Sequence, residues 1–288
     1  MKRSAKLTKW NSGFALGLML LMLLTAACQT SRPTSAAPLL SPKDRAIQAA
    51  SRNSFTEADE RDAIFMLLAY AVVEKDWQDN DMTKNRGYNI GSVLVKNDTH
   101  EVAFNATNAV NITHNMTQHG EVRLMNCYLA KYGSATMKDL KGYTLYTTLE
   151  PCAQCSGMMF LTNLPRVVYG QTDPSFGKAV ERLELDSRAL PMGYPPYPRS
   201  DIVHSEGSKA LYRYYLDDLY EEYQKAHPDA HITEFLASPK IAQVYREAVH
   251  DLRHFEVTYP ANQKILKQAI DYLDKKVPKQ YEKICSEE

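Results

Sequence analysis

The chain has 288 residues, with 34 basic and 34 acidic side chains and 44% hydrophobic residues. That size and apolar content suffice for one globular domain with a full core, and five cysteines over such a length are not a disulfide framework. A net charge of zero lacks the basic excess that gripping a nucleic-acid backbone requires.

The N-terminus carries Lys2, Arg3, Lys6 and Lys9, then an apolar run from Phe14 to Ala27. Its fourteen residues are fewer than the roughly 20 that span a bilayer and suit a signal-peptide core. Leu24-Thr25-Ala26-Ala27-Cys28 resembles the bacterial lipoprotein box. The resemblance implies cleavage before Cys28, lipidation of that cysteine and, with Gln29 next, an outer-membrane lipoprotein facing the periplasm. The alternative is an ordinary secretory signal cut near Ala27 and a secreted protein. Loss of the leader removes four cations and leaves the mature chain slightly acidic. Residues 29–52 are rich in Ser, Ala, Pro and Thr and read as a tether. The expected layout is thus a signal peptide over 1–27, then the lipidated cysteine and flexible tether over 28–54.

Glu57 to about Trp77 is predicted helical, and its apolar centre from Ile64 to Val73 requires burial on all sides. Strands are expected at 90–96 and 101–105, a helix opening at His119, a strand at 143–149, a helix opening at Cys152 and a strand at 166–170. A helix over 178–189 and a strand at Asp201–His204 follow. This alternation predicts an α/β fold, a three-layer α/β/α sandwich around a five-stranded mixed, mainly parallel sheet. The helix between the last two strands makes them parallel if the crossover has its normal hand. From Gly207 to about Ala226 runs a helix dense in tyrosines and acids, read as packing aromatics and a solvated acidic face. Beyond Pro228, Ile241–Phe255 and Gln263–Lys275 form a helical C-terminal extension, 227–288, to a core domain placed at 55–226.

Chemistry concentrates in His119-Gly120-Glu121 and Pro151-Cys152-Ala153-Gln154-Cys155. His119, Cys152 and Cys155 are three ligands for Zn²⁺, one ion per chain. Glu121 is a carboxylate that need not be a ligand. Three protein ligands and an open fourth position make a catalytic zinc site; a structural site closes with four. A zinc ion lowers the pKa of its water to about 7 in well-tuned sites. Glu121 is then the residue to take a proton from that water and to pass protons to a ring nitrogen and departing ammonia. Pro151 suits a helix first turn, and the three-residue spacing of Cys152 and Cys155 puts both sulfurs on one face. The positive helix end favours their thiolates. Taken singly, the cysteines could be a redox pair, His119 a surface histidine and Glu121 a first-turn acid. Of the other cysteines, Cys127 reads as a buried core thiol, and Cys285 has no assigned role.

At these residues the chain resembles the cytidine and deoxycytidylate deaminase superfamily. Within it, the likeness is to the branch of tRNA adenosine, guanine and yeast-type cytosine deaminases, over about residues 57 to 225. Thr148-Leu149-Glu150-Pro151-Cys152-Ala153-Gln154-Cys155-Ser156-Gly157-Met158-Met159 carries the likeness, with Arg166–Gly170 and Ile90–Val95 similar to flanking strands. The resemblance implies a cytidine deaminase-like fold and a homo-oligomer, most simply a dimer. It also implies a substrate-binding role for Asn108, eleven residues before His119, whose amide both donates and accepts. A turn asparagine is the alternative, since Asn105, Asn111 and Asn115 crowd the same stretch. Gly120, Asn89 and Gln118 depart from the family's usual residues without touching the chemistry.

The expected function is zinc-dependent hydrolytic deamination of an amino-substituted nucleobase or nucleoside of guanine, adenine or cytosine type, with ammonia released. The partners are that small molecule and, through the lipid anchor, a membrane. A nucleic-acid base deaminase and a non-catalytic zinc-containing envelope protein are the alternatives. Balanced charge and the acids after Gly207 argue against nucleic acid, and an intact Glu121 argues against a non-catalytic module.

Overall fold

The structure, a computed structural model, describes residues 54–79, 85–133 and 139–277. The leader, Cys28, the tether and Cys285 lie outside the described residues. Pro38–Glu288 is one compact unit. Among the described residues no helix is long and apolar enough to cross a membrane.

Helix α1, Glu57–Lys75, starts at a capping box. Asp59 N donates to Thr56 Oγ1 at 3.2 Å, and Thr56 N donates to Asp59 Oδ2 at 3.0 Å. Its apolar centre is buried on all sides, as the sequence requires. Strands β1 (Gly91–Lys96), β2 (Val102–Thr107), β3 (Tyr143–Thr147), β4 (Arg166–Tyr169) and β5 (His204–Gly207) form one sheet in the order β2-β1-β3-β4-β5. β1 is antiparallel to both β2 and β3, while β3/β4 and β4/β5 are parallel. Four strands therefore share a direction and β1 alone opposes them, which is the expected mixed, mainly parallel sheet.

Period-2 alternation divides the core between the two faces. Val93, Val95, Tyr146 and Val168 pack with α1 on one side. Leu94, Leu145 and Val167 pack on the other with α2 (Gly120–Tyr132) and α3 (Ala153–Leu161). Further helices are α4 (Ala179–Glu184), α5 (Leu211–Ala226), α6 (Ile232–Phe235), α7 (Pro239–Arg253) and α8 (Asn262–Lys275). α7 and α8 cover the side of α1 away from the sheet, so the extension completes its burial. A buried Glu60 fastens that layer by accepting from Thr258 N, Tyr259 N and Asn262 Nδ2 at 2.6, 3.2 and 2.8 Å.

Several local expectations shift. Pro151 stands before the helix and not in its first turn; Cys152 is itself the N-cap of α3. α4 ends at Glu184, five residues short of the predicted end. Asp186 there takes Arg188 N at 3.1 Å, a local bond that competes with helix continuation. β5 begins at His204 because its ladder is set by Arg166 opposite His204, whereas apolar Val203 only plugs the core. Polar edge strands give no hydrophobic signal. Cys127 is buried as expected but is disulfide-bonded, not a core thiol.

Candidate active site

Two helix N-termini converge on one point. His119 is the N-cap of α2, Glu121 lies in that helix's first turn, and Cys152 and Cys155 occupy the N-cap and first turn of α3. Gln154 Nε2 donates to Thr117 O at 3.0 Å and ties α3 to the segment before His119. His119 Nδ1 lies 3.6 Å from both sulfurs, and the sulfurs are 3.7 Å apart. Tetrahedral zinc with bonds of about 2.3 Å to sulfur and about 2.0 Å to nitrogen sets ligand separations of about 3.5–3.8 Å. The donor set therefore fits zinc, and among the described residues it numbers three. Both sulfurs are free of disulfide, which disfavours an oxidised redox pair. Hydrogen bonding to Cys155 and to His119 brings the Cys152 thiol down to about 4, while the contact with Cys152 and burial push the Cys155 thiol up.

Glu121 is buried, and burial raises its carboxyl above the usual range. Thr147 Oγ1 donates to Glu121 Oε1 at 3.2 Å, and Ser92 Oγ donates to Thr147 Oγ1 at 3.1 Å. A carboxyl raised by burial beside the metal ligands is suited to pass protons.

Asn108 lies beside the same helix end. A Cβ on Gly120 would sit 3.4 Å from Asn108 N. Asn108 Oδ1 accepts from Tyr88 N and Val110 N, each at 3.2 Å, and Arg86 Nη1 donates to Asn108 O. Its Nδ2 is buried without a partner. The asparagine thus has both characters weighed in the sequence: its oxygen holds a turn, and its nitrogen is left as a donor. Gly87, at φ +157°, is required here because a Cβ would strike Asn108 Oδ1.

The sequence reading missed the supports of this site. Thr147 is one, although alternation from Leu145 puts it on the face of α2 and α3. Glu150 accepts from Asp173 N at 3.0 Å and Lys178 N at 2.8 Å, shaping the loop after β4. Asp217, read as a solvated acid, takes Thr172 N at 2.9 Å and Thr172 Oγ1 at 3.0 Å. Gln171, in the same loop, is fully buried with both amide atoms unpaired. Asn89 joins Gln78 to the extension, donating to Leu236 O at 3.1 Å.

Residues 59–171 match the cytidine and deoxycytidylate deaminase zinc-binding region. A tRNA-specific adenosine deaminase of Streptococcus pyogenes is 32% identical over 120 residues, 42% of this chain and 69% of that protein. The chain belongs to the cytidine and deoxycytidylate deaminase family. A probable cytosine deaminase of Schizosaccharomyces pombe is 27% identical to this deaminase over 129 residues, 45% of this chain and 72% of the other. A solved guanine deaminase from Nitrosomonas europaea is 17% identical, with 66% of this deaminase and 97% of that chain covered at a TM-score of 0.38.

Proposed function

We propose that this deaminase acts hydrolytically on a free amino-substituted nucleobase or nucleoside, with Glu121 as its catalytic acid and base. Zinc held by His119, Cys152 and Cys155 would supply an activated water. Glu121, its Oε1 steadied by Thr147, would accept that water's proton and deliver protons to the ring nitrogen and the leaving ammonia. The observation that carries the reading is Asn108. An unpaired buried donor costs about 1–3 kcal/mol, and an acceptor on the edge of a base placed between Asn108 and the zinc ligands would recover it.

Two features favour a small substrate. The chain has no basic excess, and cleavage after Ala27 would remove four further cations. The extension is also fastened at Leu236 to the residue following Tyr88, beside the wall that holds Asn108. The deciding experiment is ammonia release by purified protein from a panel of bases, nucleosides and single-stranded oligonucleotides. Turnover of one or more free bases or nucleosides is expected. Activity confined to oligonucleotides and falling steeply with salt would put a nucleic-acid deaminase in its place.

We further propose, from the lipoprotein-like box ending at Cys28, that the enzyme is tethered at the cell envelope by a lipid on that cysteine. Stable anchoring needs more than one acyl chain, since each buried CH₂ adds about 0.8 kcal/mol. Wild type should fractionate with membranes and Cys28→Ala as soluble protein; identical soluble behaviour would remove the anchor.

A further inference from the structure

Asn108 is one of two buried amides at the same rim of the sheet. β2, β3 and β4 run parallel and end there, at Thr107, Thr147 and Tyr169, and β1 starts there at Gly91. Ligands of open α/β sheets bind outside the carboxyl ends of such strands. Asn108 follows β2 directly, residues 148–150 lead from β3 to Cys152, and Gln171 stands two residues beyond β4. Asn108 N donates to Ile90 O at 2.8 Å, Thr148 N to Gly91 O at 3.0 Å and Glu150 N to Gln171 O at 2.8 Å. The rim is therefore continuous from Asn108 to Gln171.

The side chain of Gln171 lies on the sheet face of the zinc ligands. Val167 packs with α2 and α3, and Tyr169 pairs with Thr147, the support of Glu121. Alternation carries that face on to Gln171. Gly170 lies on the other face, where a Cβ would strike Tyr70 Oη and Met66 Cε of α1. Two carboxylates hold the loop that follows. Glu150 takes Asp173 N and Lys178 N, and Asp217 takes Thr172 N and Oγ1. Between these fixed neighbours Gln171 is fully buried, and neither its Nε2 nor its Oε1 has a partner. Buried polar atoms are nearly always hydrogen-bonded, so an amide open at both ends suits a ligand that offers both a donor and an acceptor.

We propose that Gln171 reads the glycosidic edge of a free nucleobase and thereby rejects nucleosides, an assignment that rests on the small-substrate reading above. A ring N–H beside an acceptor matches the amide: Oε1 accepts from the N–H, and Nε2 donates to the acceptor. Free cytosine has N1–H beside O2, and free purines have N9–H beside N3. In a nucleoside the sugar replaces that N–H. Oε1 then meets no donor, and a fully buried side chain leaves the sugar no path to solvent. Asn108 has its Oδ1 occupied and offers a donor only. The two amides therefore divide the work: Asn108 tethers a base, and Gln171 senses whether its ring nitrogen is substituted.

The test compares ammonia release from adenine, guanine and cytosine with release from 9-methyladenine, 9-methylguanine and 1-methylcytosine, using zinc-loaded full-length protein. The methyl group removes the N–H with little added bulk. Wild type should show a kcat/KM for its base about tenfold or more above that for the methyl derivative, since a site built to hydrogen-bond an N–H rejects the analogue lacking it. Gln171→Met is close in shape. It should lose about tenfold on the base and bring the ratio near one. Its zinc content and melting temperature should hold, because no hydrogen bond within the folded protein is removed. Equal use of base and methyl derivative by wild type, or a ratio that survives in Gln171→Met, would assign the amide to a trapped water and overturn the proposal. Ammonia from no free base would overturn the small-substrate reading itself, and the role of Gln171 with it.

Discussion

Thr147 Oγ1 stands 3.2 Å from Glu121 Oε1 and joins β3 to α2 on the sheet face that carries the zinc ligands. The hydroxyl fixes the carboxylate without being able to replace it. Thr147→Val preserves shape and removes the donor. We expect zinc content to hold and kcat to fall about tenfold, the effect of losing one hydrogen bond of about 1.5 kcal/mol to a charged group. Unchanged kcat would show that Glu121 does not depend on this contact.

Glu121→Gln is expected to bind zinc and fold normally while losing about 10²–10⁴-fold in turnover, the range of general acid–base catalysis. Steady-state kinetics beside metal analysis checks both halves, and wild-type turnover would refute the assigned role.

Cys152→Ser should abolish stoichiometric zinc, because a neutral hydroxyl replaces the thiolate whose proton is lost most readily here. Metal analysis of the purified variant reads this directly. Full retention of zinc would eliminate the ligand set.

For Asn108 the structure changes which substitution is informative. Alanine would remove both the pocket donor and the oxygen that takes Tyr88 N and Val110 N, so binding and stability fall together. Asn108→Asp keeps an acceptor for those two N–H groups and replaces the Nδ2 donor with a carboxyl oxygen. A rise in KM of about tenfold or more, with zinc retained, is expected from the loss of one polar anchor of about 1–3 kcal/mol. An unaltered KM would leave Asn108 as a turn residue only.

The extension is testable at Glu60, whose carboxylate takes three donors from residues 258–262. Glu60→Ala should destabilise the protein by about 3 kcal/mol, since it removes the acceptor of Thr258 N and Tyr259 N and leaves Asn262 Nδ2 only Glu57 O. Glu60→Gln should cost less because it retains one acceptor oxygen. Denaturant unfolding measures both, and equal stability of Glu60→Ala and wild type would mean that the extension docks without this contact.

The candidate ligand set and most of the fold are legible along the chain. Ligand type and spacing are local properties, so His119, Glu121, Cys152 and Cys155 could be named before any coordinates, and two helix starts followed from the same motifs. Periodicity located the buried helix α1 and the strands whose faces divide the core, because burial leaves its pattern in each segment. The remaining features come from contacts made in the folded state. Thr147 on Glu121, the two backbone N–H groups on Asn108 Oδ1, Glu60 on the extension and the bonded state of Cys127 all depend on residues far apart in the chain meeting in space. Likewise β5 was placed by its ladder with β4, and no composition of His204-Ser205-Glu206-Gly207 announces a strand. Hydrophobic period and ligand spacing are written along the chain, whereas partner choice is fixed by the free energy of the packed whole.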